Sequence, residues 1–226
     1  MNNASSDGSA VLFDVDGTLV DSNYLHVAAW LRAFDAIGQP VPAWRIHRAI
    51  GMDSSRLLAE LLGPAASALG DAAKHEHQRA YSETTHLLKP LPGARELLRV
   101  LAERGVTVVL ATSAPPDELD LLRSVLDVDD LITAVTNADD VGTAKPEPDL
   151  IHVAVHRSGC PSDRVVLVGD AIWDMQACAR AGVGSVGVLS GGISEGELRA
   201  AGAEDVYHDA ADLLAQLSGS RLAPLL

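Results

Sequence analysis

An α/β fold, a Rossmann-like doubly wound parallel sheet with an inserted helical cap, is predicted by three features of the sequence. Short apolar runs alternate with amphipathic helical patterns along most of the chain. Several of those runs end in acidic, hydroxyl or glycine residues, as strands do when they deliver polar groups to one end of a sheet. The stretch after the first run carries helical patterns alone.

The first run, 10-AVLFDVDG-17, is apolar and then acidic, which suits a buried strand. From Asp21 to Lys89 the patterns 24-YLHVAAWLRAFDAIG-38, 55-SRLLAELLG-63 and 71-DAAKHEHQRAYSETTHLL-88 have helical spacing, and 90-PLPG-93 marks the return to the main domain. Residues 1–20 and 90–226 are therefore expected to form the α/β core, and residues 21–89 the cap. Further strands are expected at 106-VTVVLA-111, 165-VVLVGD-170 and 185-SVGVLS-190. Helices are expected at 93-GARELLRVLAERG-105, with its terminal glycine, 117-DELDLLRSVL-126, 147-EPDLIHVAVHRSG-159 and 173-WDMQACARAG-182. The interval from Thr112 to Lys145 holds one helix and one strand, which leaves no room for a second cap.

A chain of 226 residues, 47% hydrophobic, can bury a sizeable core. Its formal charge of -14 would repel a polyanion, and no Lys/Arg-rich face is visible, so no nucleic acid is expected as partner. No run reaches the roughly 18 consecutive apolar residues of a membrane helix, so no membrane is expected either. Met1 to Ser9 are small and polar, a loose leader without the apolar centre of a signal peptide. Cys160 and Cys178 are the two cysteines, a sparse usage that suits a reducing compartment. A cytoplasmic monomer or homodimer is expected.

Four short stretches carry candidate chemistry. In 14-DVDGT-18 two carboxylates stand two residues apart at a strand end, and two acids facing an apolar interior resist ionisation unless a cation compensates them. The same pattern also fits a metal-binding turn or a helix entry. In 108-VVLATS-113 a strand ends in two hydroxyls, which more often cap a helix than hold a ligand. Lys145 lies in 143-TAKPEPD-149, where a lone lysine is usually solvated. In 169-GDAIWD-174 two acids sit at a strand end and four residues on, positions where acids also serve as N-caps.

Taken in order, Asp-x-Asp-Gly-Thr, Thr/Ser at a strand end, Lys-Pro and Gly-Asp-x-x-x-Asp resemble the motifs of the haloacid dehalogenase (HAD) superfamily, made up largely of phosphatases. The resemblance spans about residues 10–190. It implies a magnesium-dependent hydrolase in which Asp14 attacks phosphorus to give an aspartyl-phosphate. It also implies that Asp16 acts as acid and base. Mg²⁺ would be held by Asp14, the backbone carbonyl of Asp16 and Asp170, with Asp174 in support. By the same resemblance Lys145 and Thr112 complete the catalytic set, and Gly17, Thr18, Ser113 and Ala114 bind substrate oxygens. Displacing halide from carbon needs no acid to protonate an alkoxide, so Asp16 favours phosphoryl chemistry over dehalogenation.

The single insertion after the first motif is similar to the cap of the phosphoglycolate phosphatase and β-phosphoglucomutase branch. A small phosphate monoester, of phosphoglycolate or sugar phosphate type, is the substrate this implies. His26 resembles, by its spacing, a histidine at the mutase cap hinge and is placed with the substrate-binding residues. On a helix rich in Ala, Leu and Trp it also reads as a packing residue. Arg56 is slightly displaced from where the mutase's cap arginine is expected. Phosphomutase activity and a non-catalytic metabolite-binding role stand as the alternatives. His75 and His77, in 74-KHEHQR-79, do not share a helix face, so the cluster reads as a solvated or substrate-facing surface. Trp173 reads as packing.

Overall fold

The computed structural model describes residues 8–143 and 145–226. Six parallel strands run in the order β3-β2-β1-β4-β5-β6, comprising β1 (Ala10–Phe13), β2 (Thr107–Ala111), β3 (Ala134–Thr136), β4 (Val165–Gly169), β5 (Gly184–Val188) and β6 (Asp205–Tyr207). This is the doubly wound α/β class expected from sequence. The order turns at β1, which pairs with β2 on one side and β4 on the other, and such a switch point opens a crevice at the carboxyl ends of the strands.

Each central strand is buried on both faces, which is why it reads as an unbroken apolar run rather than an alternation. Val11 and Phe13 of β1 pack with α5 (Ala94–Glu103), α6 (Pro116–Leu126) and α10 (Ala210–Ala215). Ala10 and Leu12 face the other way, onto α7 (Asp149–Ser158), α8 (Ile172–Ala181) and α9 (Glu195–Ala201). Side-chain alternation along a strand thus builds both layers of core from one segment.

Between β1 and α5 the chain forms α1 (Asn23–Ala36), α2 (Ala43–Ala49), α3 (Ser54–Leu62) and α4 (Ala66–Ser82). These helices have a core of their own, including Trp30, Phe34, Ile46, Leu57 and Leu61. The chain enters and leaves them side by side. The Asp21 N–H donates to the Lys89 carbonyl at 2.9 Å, and the Leu91 N–H to the Leu19 carbonyl at 2.8 Å.

Three expectations need correction. The helix expected over 71–88 starts at Ala66 and stops at Ser82, because the Thr84 and Thr85 hydroxyls bond back to the carbonyls of Tyr81 and Ser82. The loose leader expected over Met1 to Ser9 lies outside the described residues up to position 7, but Ser9 is buried and its hydroxyl donates to the Leu225 carbonyl at 2.5 Å. The helices α2, α9 and α10 and the strand β6 add to the elements read from sequence, each seven residues or fewer and too short to show a period. Among the described residues no helix is long and apolar enough to cross a membrane, and both cysteines are free thiols.

Candidate active site

The chain leaves the sheet at Asp14, whose N–H donates to the Val168 carbonyl at 3.0 Å. It then closes a turn in which the N–H groups of Leu19 and Val20 both donate to the Val15 carbonyl. Gly17 occupies the left-handed region at φ 73, and a Cβ there would stand 2.6 Å from Asp170 Oδ2. Only glycine meets both conditions. The turn leaves Asp14 buried and Asp16 part-buried above the crevice between β1 and β4.

Lys145 comes up beside Asp14 from the loop before α7. Its Nζ donates to Asp14 Oδ1 at 2.7 Å and to the Ala111 carbonyl at 2.9 Å, and lies 2.7 Å from Asp174 Oδ1. Two of the ammonium protons are thus hydrogen-bonded, while Asp174 Oδ1 is held by charge alone and is left without a hydrogen bond. Burial alone would favour the neutral amine, yet the two carboxylates raise the Lys145 pKa and keep it charged. Asp174, on the first turn of α8, accepts the Ala171 N–H through Oδ2 at 3.1 Å. Its carboxyl group presses on the end of β4, where a Cβ on Gly169 would lie 2.7 Å from Asp174 Cγ.

Asp170 completes the cluster. Its Oδ1 accepts the Thr18 hydroxyl at 3.1 Å and its Oδ2 the Asn23 amide at 2.8 Å. Asp14, Asp170 and Asp174 each offer a carboxylate oxygen, all within 4.8 Å of one another. Burial, then the charge of Asp174, pushes the Asp170 pKa up to about 7. Asp14 is also raised, by burial against the pull of Lys145, with Asp174, Asp170 and Asp16 adding to the rise. One ammonium among three buried carboxylates leaves a deficit of positive charge. A hard divalent cation with oxygen ligands fits that donor set.

Asp14 and Asp16 open into a chamber of about 1070 Å³ between the sheet and the helices inserted after β1. Thr112, Ser113 and Ala114, at the end of β2, line it from the sheet side, while Arg56, Lys74 and Tyr81 line it from the helices. The Thr112 hydroxyl oxygen accepts the Ala114 N–H at 3.0 Å, which shapes that loop. Gly17 and Thr18 stand back from the chamber, Thr18 with its hydroxyl on Asp170. Trp173 is part-buried and lies outside the chamber lining.

The model of the haloacid dehalogenase-like hydrolases matches residues 9–182. The chain belongs to this family. A hydrolase from Pseudomonas syringae, known from its crystal structure, is 40% identical to this HAD-like hydrolase, with a TM-score of 0.88 and a match covering 93% of this chain and 98% of that one. The phosphorylated carbohydrates phosphatase of Thermotoga maritima is 28% identical over 179 residues, which are 77% of this chain and 82% of that protein. The phosphoglycolate phosphatase of Pseudomonas syringae pv. tomato is 30% identical over 193 residues, covering 82% of this chain and 71% of the relative.

In this hydrolase the Asp16 carboxylate meets the helices inserted after β1 through His26. Asp16 Oδ1 accepts the Ser22 hydroxyl at 2.5 Å and lies 3.5 Å from His26 Nε2. The same Nε2 is 3.2 Å from Glu118 Oε1, and His26 Nδ1 is 3.2 Å from His77 Nε2. The His26 ring stacks on Tyr81 and the His77 ring on Trp30, each with centroids 4.1 Å apart. Burial would discharge His26, but Glu118 and Asp16 hold its pKa up at about 10. Burial and the His26 charge push His77 down to about 3. A charged His26 beside a neutral His77 is consistent with Nδ1 of His26 donating to Nε2 of His77, and with Nε2 of His26 facing the two carboxylates as an ion pair. Burial raises the Asp16 pKa, but the hydrogen bond and charge of His26, with the Ser22 hydroxyl, outweigh it and hold Asp16 low. The donor atoms of Asp16, His26 and Glu118 also fall within 4.8 Å of one another, and the imidazolium makes that group an ion-paired triad rather than a cation site.

The sequence reading places the 74–79 cluster on a solvated or substrate-facing surface, and His75 is exposed while Lys74, His77 and Gln78 line the chamber. What the sequence does not show is that His77 is also held between Trp30 and His26. Asn23 and Glu118 are absent from the sequence-derived candidates. Each sits at the start of a helix, where Asn reads as a cap and Glu as a partner of the helix dipole.

Proposed function

We propose that this hydrolase is a Mg²⁺-dependent phosphatase acting on a small phosphate monoester through an aspartyl-phosphate at Asp14. One observation carries the proposal: the Asp14 carboxylate, paired with Lys145 and grouped with Asp170 and Asp174, opens into the chamber that Asp16 also lines. Asp14, the Asp16 carbonyl and Asp170 would hold the ion, with Asp174 in support. Bound there, Mg²⁺ supplies positive charge that offsets the repulsion between a carboxylate and a phosphate dianion.

Asp14 forms a new O–P bond as the ester P–O bond breaks, and Asp16 passes its proton to the departing oxygen. Asp16 then takes a proton from the water that splits the acyl phosphate, which restores the Asp14 carboxylate and the proton-carrying form of Asp16. Lys145 aims Asp14 and pulls towards its ionised form against burial and the neighbouring aspartates. Thr112 and the N–H groups near Asp16, Ser113 and Ala114 hold the phosphoryl oxygens, with Gly17 and Thr18 shaping the turn beneath them. Residues 21–89 serve as a cap that excludes bulk water and selects the substrate. The names of the relatives, one acting on phosphorylated carbohydrates and one on phosphoglycolate, support a phosphate ester of that size.

A panel of small phosphates, ranked by kcat/KM with Mg²⁺ and with EDTA, tests this. Phosphate release that needs the divalent ion is the expected result. Turnover indifferent to EDTA, or conversion of a sugar 1-phosphate into its 6-phosphate faster than phosphate release, overturns it.

A further inference from the structure

We propose that His47 is a positioning residue for the proposed metal ligand Asp170, and that through the Gly191 carbonyl it ties the closed position of the inserted helices to Mg²⁺ affinity. The inference rests on the Mg²⁺ and cap readings above and adds a link between them.

The link runs through three consecutive residues after β5. The Ser190 hydroxyl donates to the Gly17 carbonyl at 2.6 Å, which seats this loop on the turn after β1. Gly191 is buried, and a Cβ there would stand 1.6 Å from Asp170 Oδ2, so its backbone lies directly against that carboxylate. Gly192 occupies the left-handed region at φ 88, and a Cβ on it would meet the Tyr24 hydroxyl at 2.6 Å and His47 Nε2 at 3.1 Å. One glycine thus touches Asp170 and the next touches the inserted helices, and a side chain at either position would force the neighbours apart.

His47 closes the path. Its Nε2 lies 2.8 Å from the Gly191 carbonyl, and since a carbonyl only accepts, the nitrogen donates. The ring is stacked on Tyr24, with centroids 5.2 Å apart. Ile46 and Ala49, on the same helix α2, are buried in the core that the inserted helices form among themselves, so His47 moves with those helices rather than with the sheet. Arg48 pairs with Glu197 of α9 and holds α2 down beside it. Asp170 therefore has two supports that belong to the inserted helices: Asn23 directly, at 2.8 Å from Oδ2, and His47 by way of Gly191. The Thr18 hydroxyl on Oδ1 comes from the turn after β1 and stays with the sheet. When the inserted helices swing away, the Gly191 carbonyl loses its donor and the loop loosens against Asp170. A ligand that binds one of two positions more tightly favours that position, and the effect is reciprocal. Mg²⁺ held by Asp170 favours the closed helices, and the closed helices raise Mg²⁺ affinity.

Two substitutions separate the N–H of His47 from its ring. His47→Phe keeps a ring to stack on Tyr24 but has no donor, while His47→Gln keeps an N–H of similar reach and has no ring. Mg²⁺ binding to the substrate-free protein is measured by calorimetry, and amide exchange over α2 is followed by mass spectrometry with and without Mg²⁺. In wild type, Mg²⁺ is expected to slow exchange over α2. Removing an outer partner of a metal ligand typically weakens binding about 10–100-fold, and His47 acts one residue further out, so His47→Phe should bind Mg²⁺ about tenfold more weakly. It should also lose the Mg²⁺-dependent slowing over α2. His47→Gln should stay within about threefold of wild type and keep that slowing. A His47→Phe affinity equal to wild type, a His47→Gln affinity as weak as that of His47→Phe, or exchange over α2 in wild type that ignores bound Mg²⁺ overturns the role of His47. A wild-type protein that binds no Mg²⁺ overturns the metal reading as well.

Discussion

Lys145 Nζ lies 2.7 Å from Asp14 Oδ1, a contact between residues 131 positions apart that places an ammonium on the carboxylate facing the chamber. Breaking a buried ion pair from one side costs about 3–5 kcal/mol, because the remaining charge stays in the interior. Lys145→Ala is therefore expected to lower stability by about that amount in urea unfolding with EDTA present, and to remove turnover. An unchanged unfolding midpoint would show that the ammonium does not compensate the three aspartates.

Asn23 reaches from α1 to Asp170 Oδ2 at 2.8 Å, which ties the inserted helices to the candidate metal ligands. Outer partners of a ligand typically change metal affinity about 10–100-fold when removed. Asn23→Ala should raise the Mg²⁺ concentration giving half-maximal turnover by a factor in that range. For wild type, Mg²⁺ at about a hundred times its Kd should add about 2.7 kcal/mol of stability over the chelated protein. A thermal midpoint indifferent to Mg²⁺ would remove the cluster as its site.

The pKa values of the two stacked histidines are shifted in opposite directions. His26, raised from 6.5 to about 10, contributes stability that is complete below pH 6.5 and is lost as pH rises towards 10. His77, lowered from 6.5 to about 3, contributes stability present above pH 6.5 and lost as pH falls towards 3. Imidazole NMR signals followed from pH 4 to 9 should show His26 charged and His77 neutral throughout. Two ordinary titrations near pH 6.5 would dissolve the triad.

The strand-end residues are legible in the sequence for a physical reason. Asp14, Thr112 and Asp170 each follow an apolar run directly, and a parallel sheet brings the ends of neighbouring strands to one edge. Lys145 and Asp174 come into view only as parts of a motif series, since a lysine before proline and an acid on a first helical turn have common structural explanations. The contacts of Glu118 and His77 stay out of view because they cross between α1, α4 and α6, and helical spacing says nothing about which helices meet; that of Asn23 runs from α1 to Asp170 after β4, equally distant in sequence. His26 is legible by its place after the first motif, but its pairing with Asp16 and Glu118 is not. Elements such as α2 and β6 are too brief to leave a period.

Chemical trapping at Asp14 bears on the central claim most directly. An enzyme turning over a phosphate ester with Mg²⁺ is quenched with borohydride, which reduces an acyl phosphate to an alcohol, and the digest is read by mass spectrometry. Homoserine at position 14, formed only with substrate and absent in Asp14→Asn, is the expected result. Turnover with position 14 left as aspartate, or reduction at another carboxylate, would contradict it.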